Sequence, residues 1–359
     1  LSAFPLPFVP SITDVREWDV EIDPAGTVLS KPLPASGKLN VSLHRVLIET
    51  GIAMSLATSS WDPRSWFALF RYGGDFLGTA PKLRFYSGVR EKDSRLAAVA
   101  SEEVATGITC YLLREHFRLT HIADVYACIQ RGELSFVRPN DESRPDYFCE
   151  DPSGETVLAE SKGSTGTRSS ITRRIDPEGW EQVQNVVPTN LPLRNGCSRV
   201  VIGTHLCVEG SHGRSETTTI IKDPDGDISK ERNPESDEIV RLAYAKAFRF
   251  MGHDSAGDFL VNRRRMESLF PFSVADDLPR IGEMSFLPMS FTPFGDAIGF
   301  YGPVGKALLS AGSESIKPKI ATALDRISQL EKQSALLSPE VGYVLPNGVM
   351  IIHNPEVIV

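Results

Sequence analysis

The stretch from Pro145 to Gly163 constrains this chain more than any other. It reads Pro145-Asp146-Tyr147-Phe148-Cys149-Glu150, then Asp151-Pro152-Ser153-Gly154, then Glu155-Thr156-Val157-Leu158-Ala159-Glu160-Ser161-Lys162-Gly163. The middle four residues are turn formers, each for its own steric or hydrogen-bonding reason. The flanking runs suit strands, over 144–150 and 155–162, so the whole reads as an antiparallel hairpin. Side chains alternate faces along a strand. Thr156, Leu158, Glu160 and Lys162 therefore share one face, and Val157, Ala159 and Ser161 the other. A hairpin closed near residue 153 sets Asp146 opposite Glu160, with Cβ atoms about 4.5–5.5 Å apart. Two carboxylates then face each other, with an ammonium one pleat further on.

Like charges directly opposite destabilise a plain sheet. A divalent cation between them turns that cost into a binding site. Mg²⁺ is commonly held by one or two carboxylates, with water and substrate phosphate completing its octahedron. Asp146 and Glu160 are the expected ligands, with the Ser161 carbonyl as a third. Such an ion polarises a phosphodiester and lowers the pKa of a bound water. Lys162 is placed to orient that water or to offset charge growing on the phosphorane oxygens.

This pattern resembles the PD-(D/E)xK nuclease superfamily, which includes restriction endonucleases and Holliday-junction resolvases. The resemblance covers about 95–210. It implies an α/β fold, with a restriction-endonuclease-like core whose mixed central sheet is flanked by helices. It also puts the family's metal-binding Asp on Asp146, its second acidic ligand on Glu160 and its Lys on Lys162. Many members carry a further Glu on the first core helix. Here Glu102 and Glu103 occupy that helix, and Glu103 is preferred because it borders the apolar stripe of Val104, Ile108 and Tyr111. Several relatives carry a Gln on the helix after the Lys strand, and Gln182 is the match, with Gln184 second. The resemblance thus implies a Mg²⁺- or Mn²⁺-dependent endonuclease acting on nucleic acid, with DNA favoured and defence against foreign DNA as a setting. The alternative is a catalytically inactive nuclease-fold protein that binds or scaffolds. Restriction-type nucleases often pair, so a homodimer is worth testing.

Four basic residues and no acidic ones lie between Ser161 and Ile175. Lys162 belongs to the motif, while Arg168, Arg173 and Arg174 sit in a Ser/Thr/Gly-rich segment read as a mobile loop. Arginines there suit contacts to phosphate. The chain as a whole carries a net charge of -8. That excludes a protein that coats nucleic acid through bulk phosphate neutralisation, though not one with a local basic patch. Five widely spaced cysteines with no CxxC pair argue against a zinc cage and fit a reduced, cytoplasmic setting. No uninterrupted run of about 18 apolar residues predicts a membrane span. Neither a P-loop nor a nucleophile elbow occurs.

At 359 residues the chain has room for more than one unit. The expected division is an N-terminal accessory region over 1–93, the nuclease-like core over 94–215 and a C-terminal α+β region over 216–359. Helical spacing predicts helices over 94–117, 237–251 and 315–337, and an amphipathic helix within 41–59. Pro near a first turn predicts another over 177–187. A buried strand is expected over 199–208, and a strand over 82–89. Hairpins are expected around Asp225-Gly226 and Asn347-Gly348. His205 and His212 are best read as a core and a surface histidine. Arg263-Arg264-Arg265 reads equally as a solvated helix face or a contact to a nucleic-acid backbone.

Overall fold

The computed structural model describes residues 15–22, 38–58, 65, 72, 83–85, 94–189, 197–208, 210, 217–222, 236–264, 278–292, 295–332, 337–338, 341–353, 356 and 358. The architecture is mixed α/β, built on a mixed central sheet flanked by helices. Seven strands form that sheet: β1 (Val15–Ile22), β2 (Lys38–Ser42), β3 (His121–Asp124), β5 (Tyr147–Glu150), β6 (Thr156–Ser164), β8 (Ser198–His205) and β9 (Thr218–Lys222). Their spatial order is β2-β1-β9-β8-β6-β5-β3. Strand β6 runs parallel to β8, and β1 parallel to β9, while the other neighbours are antiparallel. Between β3 and β5 lie α3 (Val125–Gln130) and the short strand β4 (Leu134–Phe136), which pairs with β7 (Val186–Pro188).

Two helices from opposite sides of the expected first boundary pack together. These are α1 (Leu43–Met54) and α2 (Ser94–Glu115). Ser42 caps α1 by accepting a hydrogen bond from the Arg45 N–H. Their close approach depends on Gly107, where an added Cβ would lie 2.0 Å from Thr50 Oγ1. The other side of α2 lies on β6. Strands β1 and β2 join the central sheet, so the stretch expected to be accessory contributes to the layers around the core. By length and composition α2 is apolar enough to cross a membrane, and 61% of its apolar window is buried inside the fold.

A second, antiparallel sheet contains β10 (Arg280–Ile281), β11 (Met284–Phe291), β12 (Ala297–Tyr301), β13 (Gly342–Val344) and β14 (Val349–Ile352), in the order β10-β11-β12-β14-β13. The helix α6 (Glu238–Phe250) lies between the sheets and is buried along its whole length. It packs on β3, and its Tyr244 and Phe248 rings pack at a tilt against Phe300 of β12. Three of its cations are buried, and each has a partner. Arg241 donates to the carbonyls of Gly312 and Glu314, Arg249 pairs with Asp258, and Lys246 pairs with Asp124. The remaining helices are α7 (Asp254–Val261), α8 (Gly302–Leu309) and α9 (Lys317–Lys332).

The hairpin at Asn347-Gly348 forms between β13 and β14, with Gly348 at φ +80. The segment expected to be a loop over 163–175 is different. Strand β6 continues to Ser164, and α4 (Arg168–Arg173) follows. Thr167 caps α4 by accepting from the Ser170 N–H, and Ile171 and Ile175 are buried beneath the segment. Those two apolar anchors outweigh the Ser/Thr/Gly composition. The expected helix over 177–187 is likewise shorter. A wide π-type turn, Arg174–Gly179, holds a cis Asp176-Pro177 bond and leads into α5 (Trp180–Gln184). Strand β9 pairs with β8 and β1. Asp225-Gly226, His212 and Arg265 lie outside the described residues.

Candidate active site

The hairpin register is Tyr147↔Ala159, Phe148↔Leu158, Cys149↔Val157 and Glu150↔Thr156. Continued by one pair, it sets Asp146 across from Glu160. Pairing with β5 stops at Tyr147, while β6 runs on to Ser164. Beyond that point β6 has lost its neighbour on one side, which opens a notch in the sheet. Backbone N–H groups inside a fold require partners. Here two carboxylates supply them. The Ser161 N–H donates to Asp146 Oδ2 at 2.9 Å, and the Gly163 N–H donates to Glu102 Oε2 at 2.9 Å. The Asp146 N–H donates to Glu160 Oε2 at 3.0 Å. The notch is therefore lined by three acidic side chains.

Lys162 enters from the same strand. Its Nζ lies 2.7 Å from Glu160 Oε1 and 3.0 Å from Glu178 Oε1, and it donates to Gln182 Oε1 at 2.6 Å. The Gln182 amide in turn donates to the Arg144 carbonyl at 3.1 Å, fixing which end of the amide faces the lysine. Glu160 and Lys162 thus share one face, turned toward the α4–α5 layer. Gly179, at the end of the π-type turn, comes close beneath Glu160 and Val201. Ser161 is on the opposite face, where its hydroxyl meets Thr109 of α2 at 2.9 Å.

The electrostatics follow from this crowding. Burial, then the neighbouring Asp146 carboxylate, raises the Glu160 carboxyl to about 8, although Lys162 opposes both. Asp146 is raised as well, first by the protein around it, with the Ser161 N–H and Lys162 pulling the other way. Asp146 keeps an open surface, and water there weakens the effect. Glu160, 2% exposed, is the firmer case. Burial works against the charge of Lys162, but the Glu160 and Glu178 carboxylates outweigh it and raise its pKa. Two carboxylates that resist ionisation together, with a single ammonium paired to one of them, form a place that attracts further positive charge.

The structure brings Asp146, Glu160, Ser161, Lys162 and Gln182 together. It places Glu102 there, and not Glu103. The Glu103 carboxylate accepts from the Tyr72 hydroxyl instead. The reason is helical phase. Small residues, Ser101, Ala105 and Thr109, form the face of α2 that meets β6, and Glu102 borders that face. At Gly163 an added Cβ would lie 2.2 Å from the Ser101 carbonyl oxygen. The large apolar residues Val104 and Ile108, which favoured Glu103, belong to the wider core.

Arg174 is drawn into the site. It pairs with Glu102 at 2.6 Å and donates to the Gly163 carbonyl. Arg168 and Arg173 are exposed on α4. Two contributors escaped the sequence reading. Glu178 had no motif to mark it, and it reaches Lys162 from the turn that leads into α5. Asp124, paired with Lys246, lies near enough to Asp146 to oppose its ionisation. It stands opposite Tyr147 in the β3–β5 register, a long-range pairing with no local sequence signal. His205 is buried and hydrogen-bonded to the Gly166 carbonyl at 2.8 Å, and Arg263 pairs with Glu238. All five cysteines are buried. No family model, no curated protein and no solved structure matches this chain, so its functional reading rests on the notch itself.

Proposed function

We propose that the chain is a metal-dependent nuclease with a restriction-endonuclease-like, PD-(D/E)xK core, hydrolysing phosphodiester bonds, with DNA as the favoured substrate. The observation that carries this reading is the end of β5. It leaves Asp146 and Glu160 in register across a gap, with Lys162 beside them and Gln182 behind. A carboxylate pair with raised pKa values suits a hard divalent cation with oxygen preference, Mg²⁺ or Mn²⁺. Asp146, Glu160 and the Ser161 carbonyl would hold it, with Glu102 in place of Glu103 as the helix-borne carboxylate. Such an ion supplies a polarised phosphodiester and a more acidic water. Lys162, held by Gln182 and Glu178, orients that water or meets charge on the phosphorane. Arg168 and Arg173 offer contacts to the nucleic-acid backbone.

A second reading, an inactive nuclease-fold scaffold, is favoured by one observation. Lys162 and Arg174 already neutralise Glu160 and Glu102. One assay separates the two. Linear, circular and single-stranded DNA are incubated with the full chain and Mg²⁺, Mn²⁺ or EDTA. The nuclease reading expects cleavage that EDTA abolishes and that falls at least 100-fold in Glu160→Gln and Lys162→Met. Cleavage unchanged in both variants would remove the site assignment, and no cleavage of any substrate would favour the scaffold.

A further inference from the structure

Far along the chain from the notch, three side chains converge where the N-terminal helix meets the second sheet. His44 is the second residue of α1. Asp296 immediately precedes β12, and His353 immediately follows β14. The β12–β14 register, Ala297↔Ile352, continues to set Asp296 against His353 across the pair. His353 Nδ1 lies 3.1 Å from Asp296 Oδ1, and His44 Nε2 lies 3.3 Å from Asp296 Oδ2. Each residue offers one ligand atom, and all three atoms lie within 4.8 Å of one another. Among the described residues this is the one group of three His, Cys, Asp or Glu side chains that converges so closely.

The surroundings are built. His44 is 4% exposed and Asp296 7%, while His353 reaches the surface in part. The other ring nitrogen of His44, Nδ1, meets the Tyr343 hydroxyl at 2.8 Å. Thr292 Oγ1 donates to Asp296 Oδ2 at 3.1 Å and accepts from the Asp296 N–H at 3.2 Å. Both ligand types therefore have outer partners that fix their orientation. Metal-bound histidines and carboxylates show the same arrangement. Ligand atoms about 2.0–2.1 Å from a tetrahedral zinc lie roughly 3.3–3.4 Å apart; here the two imidazoles reach different oxygens of Asp296 at 3.1 and 3.3 Å, and the three ligand atoms lie within 4.8 Å of one another. An ion there would draw the three ligand atoms closer together and replace the contacts that the imidazoles now make to Asp296.

We propose that His44, Asp296 and His353 form a site for a first-row transition-metal ion, Zn²⁺ by donor set, which clasps α1 to the ends of β12 and β14. Two imidazoles and one carboxylate suit zinc over the hard cations of the notch. Tyr343 is the positioning residue for His44. The partly exposed edge at His353 leaves room for water as the fourth ligand. The site ties together segments about 250–300 positions apart, and an ion that binds only the folded chain stabilises it by mass action. This inference does not depend on the nuclease reading.

The test uses the full chain, stripped with chelator and titrated with Zn²⁺ by calorimetry, with folding checked by circular dichroism. One equivalent is expected to bind and to raise Tm. The expectation is that His44→Ala and His353→Gln weaken that event at least 100-fold, that Tyr343→Phe weakens it about 10- to 100-fold, and that Asp146→Asn leaves it intact. Absence of binding to the wild type overturns the proposal. So does binding that survives in the histidine variants or disappears in Asp146→Asn, which would put the ion in the notch. Should the histidine variants not fold, the Co²⁺-loaded wild type decides. Paramagnetically shifted imidazole N–H resonances support the site, and their absence refutes it.

Discussion

Helix α2 approaches β6 closely at Gly163, and Gly163→Ala tests that approach directly. The added Cβ would lie 2.2 Å from the Ser101 carbonyl oxygen, 2.6 Å from its carbon and 2.9 Å from Ala105 Cβ. Ordinary contact begins near 3.4 Å, so helix and strand must part by roughly 1 Å. Two of the three atoms belong to the helix backbone and cannot rotate away. Overpacking of this kind costs about 1–3 kcal/mol, which for a chain of 359 residues corresponds to a fall in Tm of roughly 1–4 °C. The same displacement draws Glu102 from the Gly163 N–H and so disturbs the notch. Thermal unfolding by circular dichroism gives the stability. Mg²⁺ titration of the folded variant gives the second readout, with weakened binding expected. Because the clash is with backbone, Ser101→Gly in the same chain is expected to give no rescue. A Gly163→Ala protein whose free energy of unfolding in urea lies within about 0.5 kcal/mol of the wild type, or one rescued fully by Ser101→Gly, would refute this packing argument.

Two further outcomes follow from buried charge. Burial raises the Glu150 carboxyl to about 7 although Lys317 pairs with it. Between pH 4.5 and 7 the folded chain therefore binds more protons at this site than the unfolded chain, and the stability due to this group falls as pH rises through that window. Glu150→Gln should remove this dependence, by an amount on the order of 2–3 kcal/mol, so that the Tm of the variant gains on the wild type from pH 5 to 7.5; parallel Tm profiles would contradict it. Asp237 accepts from the Ser315 hydroxyl and the Ile316 N–H, both at 2.7 Å, and lies 3.6 Å from Arg241. Asp237→Ala is expected to destabilise by about 3–5 kcal/mol, because Arg241 is left buried without its carboxylate, and urea unfolding measures it.

What the sequence disclosed and what it concealed divide along a physical line. Register was legible because the four-residue turn at Asp151–Gly154 counts out the strands on both sides, and a period of two then assigns every face. Asp146, Glu160 and Lys162 followed from that arithmetic alone. Helical phase was harder to read. A stripe of large apolar residues marks only the face that enters a deep core. The face of α2 against β6 is made of Ser101, Ala105 and Thr109, because the backbones approach too closely for anything larger. Small residues carry no hydropathy signal, and the choice between Glu102 and Glu103 turned on them. Composition misled in another way over 163–175. Ser, Thr, Gly and Arg describe the solvent side of α4, while Ile171 and Ile175 decide whether it folds. The histidine cluster was concealed most completely. Its members come from three segments, and only the long-range β12–β14 pairing aligns two of them. The third arrives through the packing of α1, a tertiary event with no local trace. Sites made by one hairpin are thus written in order along the chain, whereas sites made by the meeting of layers are written only in the fold.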